Sequence, residues 1–299
     1  MKKEQKAGFI AVIGRPNAGK SSFLNWIIDE KIAMVSHKAN ATRKRSNIIA
    51  MHEDERFSTQ LIFIDTPGLH EKERLLDQFM LEEAMKAMSD CDLILFLSPV
   101  HDSLKEYEKF LELNRKNIPH IVLLTKVDEV KKEKLFEKIS EFVKYQDRFL
   151  ELIPISIKKG SQKSQILATL SKHLPPSNHY FDEDILTTDK MKDIYKEFIR
   201  ESIFENISKE IPYFSDVVIE KVEELDSIEK IYAQIIVDKK SQKGIVIGKD
   251  GKTLRRIGAD ARSLIEKLTG KKVFLKLFVV VKAGWSKDKK SLGELGYDI

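Results

Sequence analysis

The stretch "GRPNAGKSS", Gly14 to Ser22, decides the fold of the first half of this chain. It follows the strand-like run "FIAVI" and opens the helical pattern "SSFLNWII". Gly14-Arg15-Pro16-Asn17-Ala18-Gly19-Lys20-Ser21 satisfies G-x-x-x-x-G-K-[ST] in the strand-loop-helix context that pattern requires, and Ser22 continues it. Glycines let backbone N–H groups turn inward around phosphate oxygens, and the helix start adds its partial positive charge. Lys20 is expected to neutralise β- and γ-phosphates, and the Ser21 hydroxyl to ligate Mg²⁺.

Working outward, strand-length apolar runs recur as "LIFI", "LILFL", "IVLL" and "LIPIS". Helical patterns at Gln78–Met88, Lys105–Lys116, Lys131–Tyr145 and Gln162–His173 separate or follow them. Alternating strands and helices predict an α/β domain with a mainly parallel sheet covered on both faces. Asp65-Thr66-Pro67-Gly68 ends the run "LIFI". A carboxylate at a strand's C-terminal end lies where such sheets bind ligands, so Asp65 is expected to hold Mg²⁺ and the Gly68 N–H to meet the γ-phosphate. Thr125-Lys126-Val127-Asp128 ends "IVLL". A carboxylate at Asp128 can accept hydrogen bonds from guanine N1 and N2, a donor pair that adenine lacks, which argues against an ATPase. The Lys126 stem can cover the base plane, and the Ser156–Ile157 backbone can meet the guanine oxygen.

The bulk numbers fit a globular protein. Of 299 residues, 42% are hydrophobic and 33% charged, and no apolar run is long enough to span a membrane. The start "MKKEQKAGFIAVIG" lacks a signal peptide's apolar core. Cys91 is the only cysteine, which suits a reducing cytoplasm and a buried, inert thiol. Net charge is +5 but uneven: residues 239–290 hold 16 Lys/Arg against four Asp/Glu. A basic back end suggests contact with a polyanion.

"LPPSNHYFDED" reads as a linker, giving expected divisions of 1–175, a linker at 176–189, and 190–299. The second half reads helix (Lys190–Ser208), strand, strand, loop, helix (Gly251–Leu268), strand. Its loop, Gly248-Lys249-Asp250-Gly251, lacks the GK[ST] ending and lies in the most basic stretch. In that context it resembles the GxxG loop of a K-homology (KH) domain, which clamps single-stranded nucleic acid by its backbone. Lys249, Lys252, Arg255 and Arg256 are then expected to meet phosphates, and Ile245 and Ile247 to offer bases an apolar floor.

Taken together, these residues resemble translational GTPases and, more narrowly, the Era family of bacterial GTPases (TrmE-Era-EngA-like, with a C-terminal type II KH domain). The likeness covers nearly the whole chain. "GRPNAGKS" and "DTPGLH" match its first and third motifs. "KANATR" resembles its switch I, which makes Thr42 the Mg²⁺-ligating threonine that senses the γ-phosphate; Ala41 stands where a first threonine is common. Thr125 replaces the asparagine of NKxD that ties this loop to the phosphate loop, and threonine is shorter; guanine selection by Asp128 is expected to survive. Ile157 replaces the alanine of the fifth motif.

Many GTPases carry a water-orienting glutamine directly after D-x-x-G. Here Leu69 occupies that place and can neither donate nor accept. His70 is a candidate for the task, though a solvated loop histidine fits as well. The resemblance implies that Asn17 helps coordinate K⁺, which would stimulate turnover. The expected catalytic set is Lys20, Thr42, Asp65, Gly68 and Asn17. The likeness further implies GTP and GDP as ligands, binding of the 3′ end of 16S ribosomal RNA, a role in assembling the 30S subunit, and a cytoplasmic location with loose peripheral attachment to the cell membrane; the sequence leaves the oligomeric state open, with a monomer expected. The competing reading is a GTP-regulated membrane-surface adaptor using the basic tail on anionic lipid.

Overall fold

The computed structural model describes residues 3–36, 42–69, 75–160, 162–208 and 210–297. The chain divides into two compact units. The first comprises Met1–Asp29, Thr42–His70 and Met80–Thr188. The second comprises Glu30–Ala41, Glu71–Phe79 and Asp189–Ile299.

In chain order the elements up to residue 172 are β1 (Glu4–Ile13), α1 (Lys20–Ile28), β2 (Ser46–Glu53), β3 (Phe57–Asp65), α2 (Leu75–Ser89), β4 (Leu93–Pro99), α3 (Lys105–Leu113), β5 (His120–Thr125), α4 (Lys132–Phe142), β6 (Leu152–Pro154) and α5 (Lys163–Lys172). The sheet order is β2-β3-β1-β4-β5-β6. All neighbours are parallel except β2 and β3. The expected parallel α/β sheet is therefore present, with an antiparallel edge strand that the sequence reading did not anticipate. Every residue of β4 and β5 is buried, as strands covered on both faces require.

One core cluster joins Ala11, Ile94, Phe96 and Val122 of the sheet to Tyr107, Phe110 and Phe142 of α3 and α4. His120 lies in the same region, 3% exposed, with Nε2 2.8 Å from the Tyr107 hydroxyl and its ring edge-on to Phe110. Burial, aided by Arg148, pushes the imidazole down to about 4. An unfolded histidine titrates near 6.5, so between pH ~6.5 and ~4 only the unfolded state takes up the proton. Stability from the neutral fold is full above that window and is lost as pH falls through it, by about 3 kcal/mol. Urea unfolding at pH 7 and pH 4.5, read by the near-UV signal of this aromatic cluster, should show that loss. His120→Gln should flatten the slope; an equal slope in both proteins would remove His120 as its source.

The stretch expected to be a linker is strapped to the first unit. Gln60 Oε1 accepts from the backbone N–H of Tyr180 and Phe181, and its Nε2 donates to the Phe181 carbonyl. The Ile49 N–H donates to the Leu186 carbonyl, and Thr187 Oγ1 to that of Asn47. The last two bonds satisfy polar groups along the β2 edge that would otherwise be open to pairing with another chain.

The second unit continues with α6 (Met191–Asn206), β7 (Ser215–Glu224), β8 (Ile228–Val237), α7 (Lys240–Ile247), α8 (Lys252–Thr269), β9 (Lys272–Val281) and α9 (Lys289–Glu294). Its sheet order is β7-β8-β9, antiparallel then parallel. Helices α6 and α8 cover one face. Ile199 and Ile203 meet Ile257 and Ala261 over Val217, Ala233, Ile235 and Val279. Glu201 of α6 pairs with Lys31 at 2.6 Å and accepts from the Val35 N–H at 3.1 Å, tying the segment that leads to Thr42 into this unit. The expected order of elements needs correction. Helix α7 stands between the strand pair and the GxxG loop, held at its start by Gln242 Oε1, which accepts from the N–H groups of Asp238 and Lys239.

Candidate functional site: a nucleotide pocket and a basic groove

The loop Gly14–Gly19 connects β1 to α1 at the C-terminal edge of the sheet. The first N–H groups of α1 lack helical partners, as at any helix start, which makes this end a ready site for an anion. Lys20 is 7% exposed, and its Nζ donates to the carbonyls of Gly14 at 3.0 Å and Arg15 at 3.1 Å. Burial outweighs the pull of Asp65 and lowers this ammonium to about 8. Arg15 is braced by a two-pronged pair with Asp102, at 2.5 and 2.6 Å. Asn17 is exposed and takes a left-handed φ of 61°, a conformation asparagine tolerates better than most residues.

Residues far apart in sequence meet beside this loop. Ser21 Oγ donates to Asp65 Oδ2 at 3.0 Å and stands 3.2 Å from Thr42 Oγ1. Asp65 is 2% exposed. One carboxylate and two hydroxyls form a hard, all-oxygen donor set, suited to a cation that completes its shell with phosphate and water. Among the described residues no group of three or more His, Cys, Asp or Glu could hold a metal alone.

Backbone contacts fix the segment after β3. The Leu69 N–H donates to the Gly14 carbonyl at 3.2 Å, and Thr66 Oγ1 to that of Val12 at 2.6 Å. A Cβ at Gly68 would lie 2.6 Å from the Pro16 nitrogen, so only glycine fits beneath the phosphate loop. Pro67 completes this turn. The Leu69 side chain packs on the hydrophobic core, away from any polar task. Ala41 and His70 lie outside the described residues.

At the base end, Asp128 follows β5. Ser156 Oγ donates to Asp128 Oδ1 at 2.6 Å, and that bond holds the carboxyl below its usual range. Lys126 takes a left-handed φ of 60°, and the Val127 N–H reaches the Ile155 carbonyl, next to Ser156 and Ile157. Thr125 Oγ1 donates to the Ala18 carbonyl at 3.1 Å. The shorter side chain therefore still ties this loop to the phosphate loop. Cys91 is buried and its thiol pushed up to about 11, so it is inert.

In the second unit, Gly248 has φ 73° and Gly251 φ 71°, and a Cβ at Gly248 would meet Thr253 Oγ1 at 2.3 Å. The loop opens α8, and Arg255 donates to the Asp250 carbonyl, bracing it. Lys249, Lys252 and Arg256 are exposed, and Ile245 is 52% exposed. A groove of about 440 Å³ runs beside the loop between α8 and the edge of β9. Gly251, Leu254, Arg255, Gly258, Arg262 and Leu277 line it, with Lys276 at its border. The sequence reading found Gly251 and Arg255 there and missed the rest. The overlooked signal is the small pair Gly258-Ala259 on the outer row of α8, which leaves room for a ligand.

Comparison with known proteins matches both units. The family described as "50S ribosome-binding GTPase" matches residues 9–126 and the KH domain residues 199–286. GTPase Era of Helicobacter pylori (strain G27) is 51% identical over 98% of this chain and 97% of its own. GTPase Era of Campylobacter concisus (strain 13826) is 50% identical over 98% and 100%. An Aquifex aeolicus Era variant bound to GDP·AlF4⁻ superposes with a TM-score of 0.92 at 31% identity, covering 98% of this chain and 100% of that one. An Era in complex with MgGDPNP and nucleotides 1506–1542 of 16S ribosomal RNA also gives 0.92, at 30% identity over 99% and 100%. Full-length identity of this order, with the phosphate loop, the Asp65 turn and the KH fold all in place, means that the chain belongs to the Era family of GTPases.

Proposed function

We propose that this GTPase is a switch that binds the 3′ end region of 16S ribosomal RNA through its second unit and assists assembly of the 30S subunit. The observation that carries the RNA reading is the groove between α8 and β9, with the GxxG loop at its mouth and Arg255, Arg262 and Lys276 along it. The RNA-bound relative has the same fold over its full length. The work belongs in the cytoplasm; among the described residues no helix is long and apolar enough to cross a membrane. Loose membrane attachment remains an expectation from the resemblance alone.

For hydrolysis, the residues divide the work as follows. Lys20 and the loop N–H groups hold the β- and γ-phosphates, and Gly68 brings its N–H to the γ-phosphate. Ser21, Thr42 and Asp65 would hold Mg²⁺, which would neutralise developing phosphate charge. The Thr42 hydroxyl is 3.2 Å from Ser21 Oγ, within reach of a cation held there. Asp128 selects guanine. Leu69 gives the attacking water no hydrogen bond, so intrinsic turnover should be slow or should use another element. Asn17, exposed in the phosphate loop, would help hold K⁺ beside the phosphates. Turnover in potassium buffer should exceed that in sodium by about 10²-fold, the lower end of what a single electrostatic stabiliser supplies. Asn17→Ala should erase the difference; equal rates in both salts for the parent protein would remove the K⁺ role.

Gly251→Asp tests the RNA site. It puts a carboxylate into the loop that faces phosphates and forces a side chain into left-handed backbone. Binding of a short single-stranded RNA should weaken by about tenfold or more, by charge repulsion with the backbone. GTP affinity should stay unchanged. A loss of GTP binding instead would contradict two separate sites.

A further inference from the structure

Strand β9 is one edge of the second unit's sheet, and its residues alternate from Lys272 to Val279. Val273 and Val279 face the helices and are buried, while Lys272, Phe274, Lys276 and Phe278 are exposed. Phe274 is 47% and Phe278 44% exposed, and together they make an apolar patch on one strand face. The parallel register sets Lys230 beside Phe274, Tyr232 beside Lys276 and Gln234 beside Phe278, so these residues share the face away from α6 and α8. Tyr232 and Phe274 rings meet edge-on at 6.2 Å, and Lys276 Nζ stands 5.2 Å from the Phe278 ring centre. The outward positions of β8 and β9 from 230 to 234 and 272 to 278 include no carboxylate. On β7, Glu223 is paired with Lys221 and Glu220 accepts from Gln234, which leaves the β9 side basic.

We infer that this outer face is a second RNA platform, on which unpaired bases stack against Phe274, Phe278 and Tyr232 while Lys272, Lys276 and Lys230 meet the backbone. Rings flanked by lysines on a sheet are the chemistry that holds single-stranded nucleic acid without reading its sequence. The inference rests on the RNA reading above and extends it. A GxxG groove clamps about four nucleotides. The RNA in the relative's complex, nucleotides 1506–1542, is several times longer. Lys276 borders the groove and stands on the edge strand between the two surfaces, so a strand leaving the groove over β9 arrives on these rings.

The test uses the full chain, two single-stranded RNAs of about six and about sixteen nucleotides, and the double variant Phe274→Ala/Phe278→Ala. Its melting temperature, compared with the parent's, shows that the fold is kept, since both rings are largely exposed. Affinity for the longer RNA should fall about tenfold or more, given the cost of removing a stacked base–ring contact. Affinity for the shorter RNA, which fills the groove alone, should change less than twofold. Ultraviolet crosslinking of the parent to the longer RNA should place adducts on Phe274, Phe278 or Tyr232. Unchanged affinity for the longer RNA, while Gly251→Asp still weakens both, overturns the platform and leaves the groove standing. Parent protein that binds neither RNA overturns both readings. Loss of a dimer on mutation, with RNA affinity intact, assigns the face to a second copy of the chain and also overturns the platform.

Discussion

Replacing Asp128 by asparagine should invert the base preference of this GTPase, lowering GTP affinity and making XTP the better ligand. The carboxylate is a double acceptor, matched to the N1–H and N2–H donors of guanine. Its ionised state is secured by Ser156, whose hydroxyl donates at 2.6 Å and holds the carboxyl below its usual range. An amide offers one acceptor and one donor. It opposes an N–H to the guanine amino group, yet fits xanthine, which carries an oxygen there. A site built around a hydrogen-bonding group rejects the mismatched partner by about 10⁴-fold, because a buried donor is left facing a donor. Competition titrations with GTP and XTP against a fluorescent nucleotide read the change directly. The Ser156 hydroxyl can still donate to the amide oxygen, so the loop should hold its shape. An undiminished preference for guanine would move the base site elsewhere.

The contrast between Asp128 and the RNA groove shows what a sequence makes legible. The nucleotide pocket is built from short loops at strand ends, each carrying its own fixed spacing, so Lys20, Asp65 and Asp128 could be named separately and trusted to meet. The structure adds what spacing cannot show. Thr125 looked too short for its task, but its Oγ1 reaches the Ala18 carbonyl because the buried ends of β5 and the phosphate loop lie close. Gly68 was expected for its N–H alone; the structure adds a steric demand, the Pro16 backbone 2.6 Å from where its Cβ would be.

The second unit was less readable, for a physical reason. Its groove exists only when α8 packs beside β9, and nothing in either segment alone marks the pairing. Of the helical stripe Leu254, Ile257, Ala261, Ile265 and Leu268, the middle three are buried, while Leu254 and Leu268 are half-buried and Leu254 also lines the groove. Helix α7 was missed because its eight residues carry an interior glycine and only Val246 is buried, so neither propensity nor periodicity signals it. Strand β2 was passed over because the basic segment before it drew the reading toward a switch, although its pattern has three consecutive buried residues.

Truncating Lys20 to alanine should cost more catalysis than any change at the loops around it. The transferred phosphoryl group gathers negative charge on its outer oxygens, and catalysis there is largely fixed electrostatic stabilisation. Lys20 supplies the one full positive side-chain charge in the phosphate loop that is held under cover: its ammonium is 7% exposed and aimed by the Gly14 and Arg15 carbonyls. Arg15 is already committed to Asp102 and does not substitute for it. Removing one preorganised donor of this kind costs about 10²–10³-fold in rate. Single-turnover phosphate release at saturating GTP should fall by that factor, because base recognition by Asp128 is untouched. Lys20→Arg should fail to rescue. The slot accepts a compact ammonium between two carbonyls, and a planar guanidinium is too broad to sit there without displacing the loop. A drop of less than fivefold in Lys20→Ala, or full rescue by arginine, would mean that the charge acts at long range and that the buried geometry of the loop is incidental to hydrolysis.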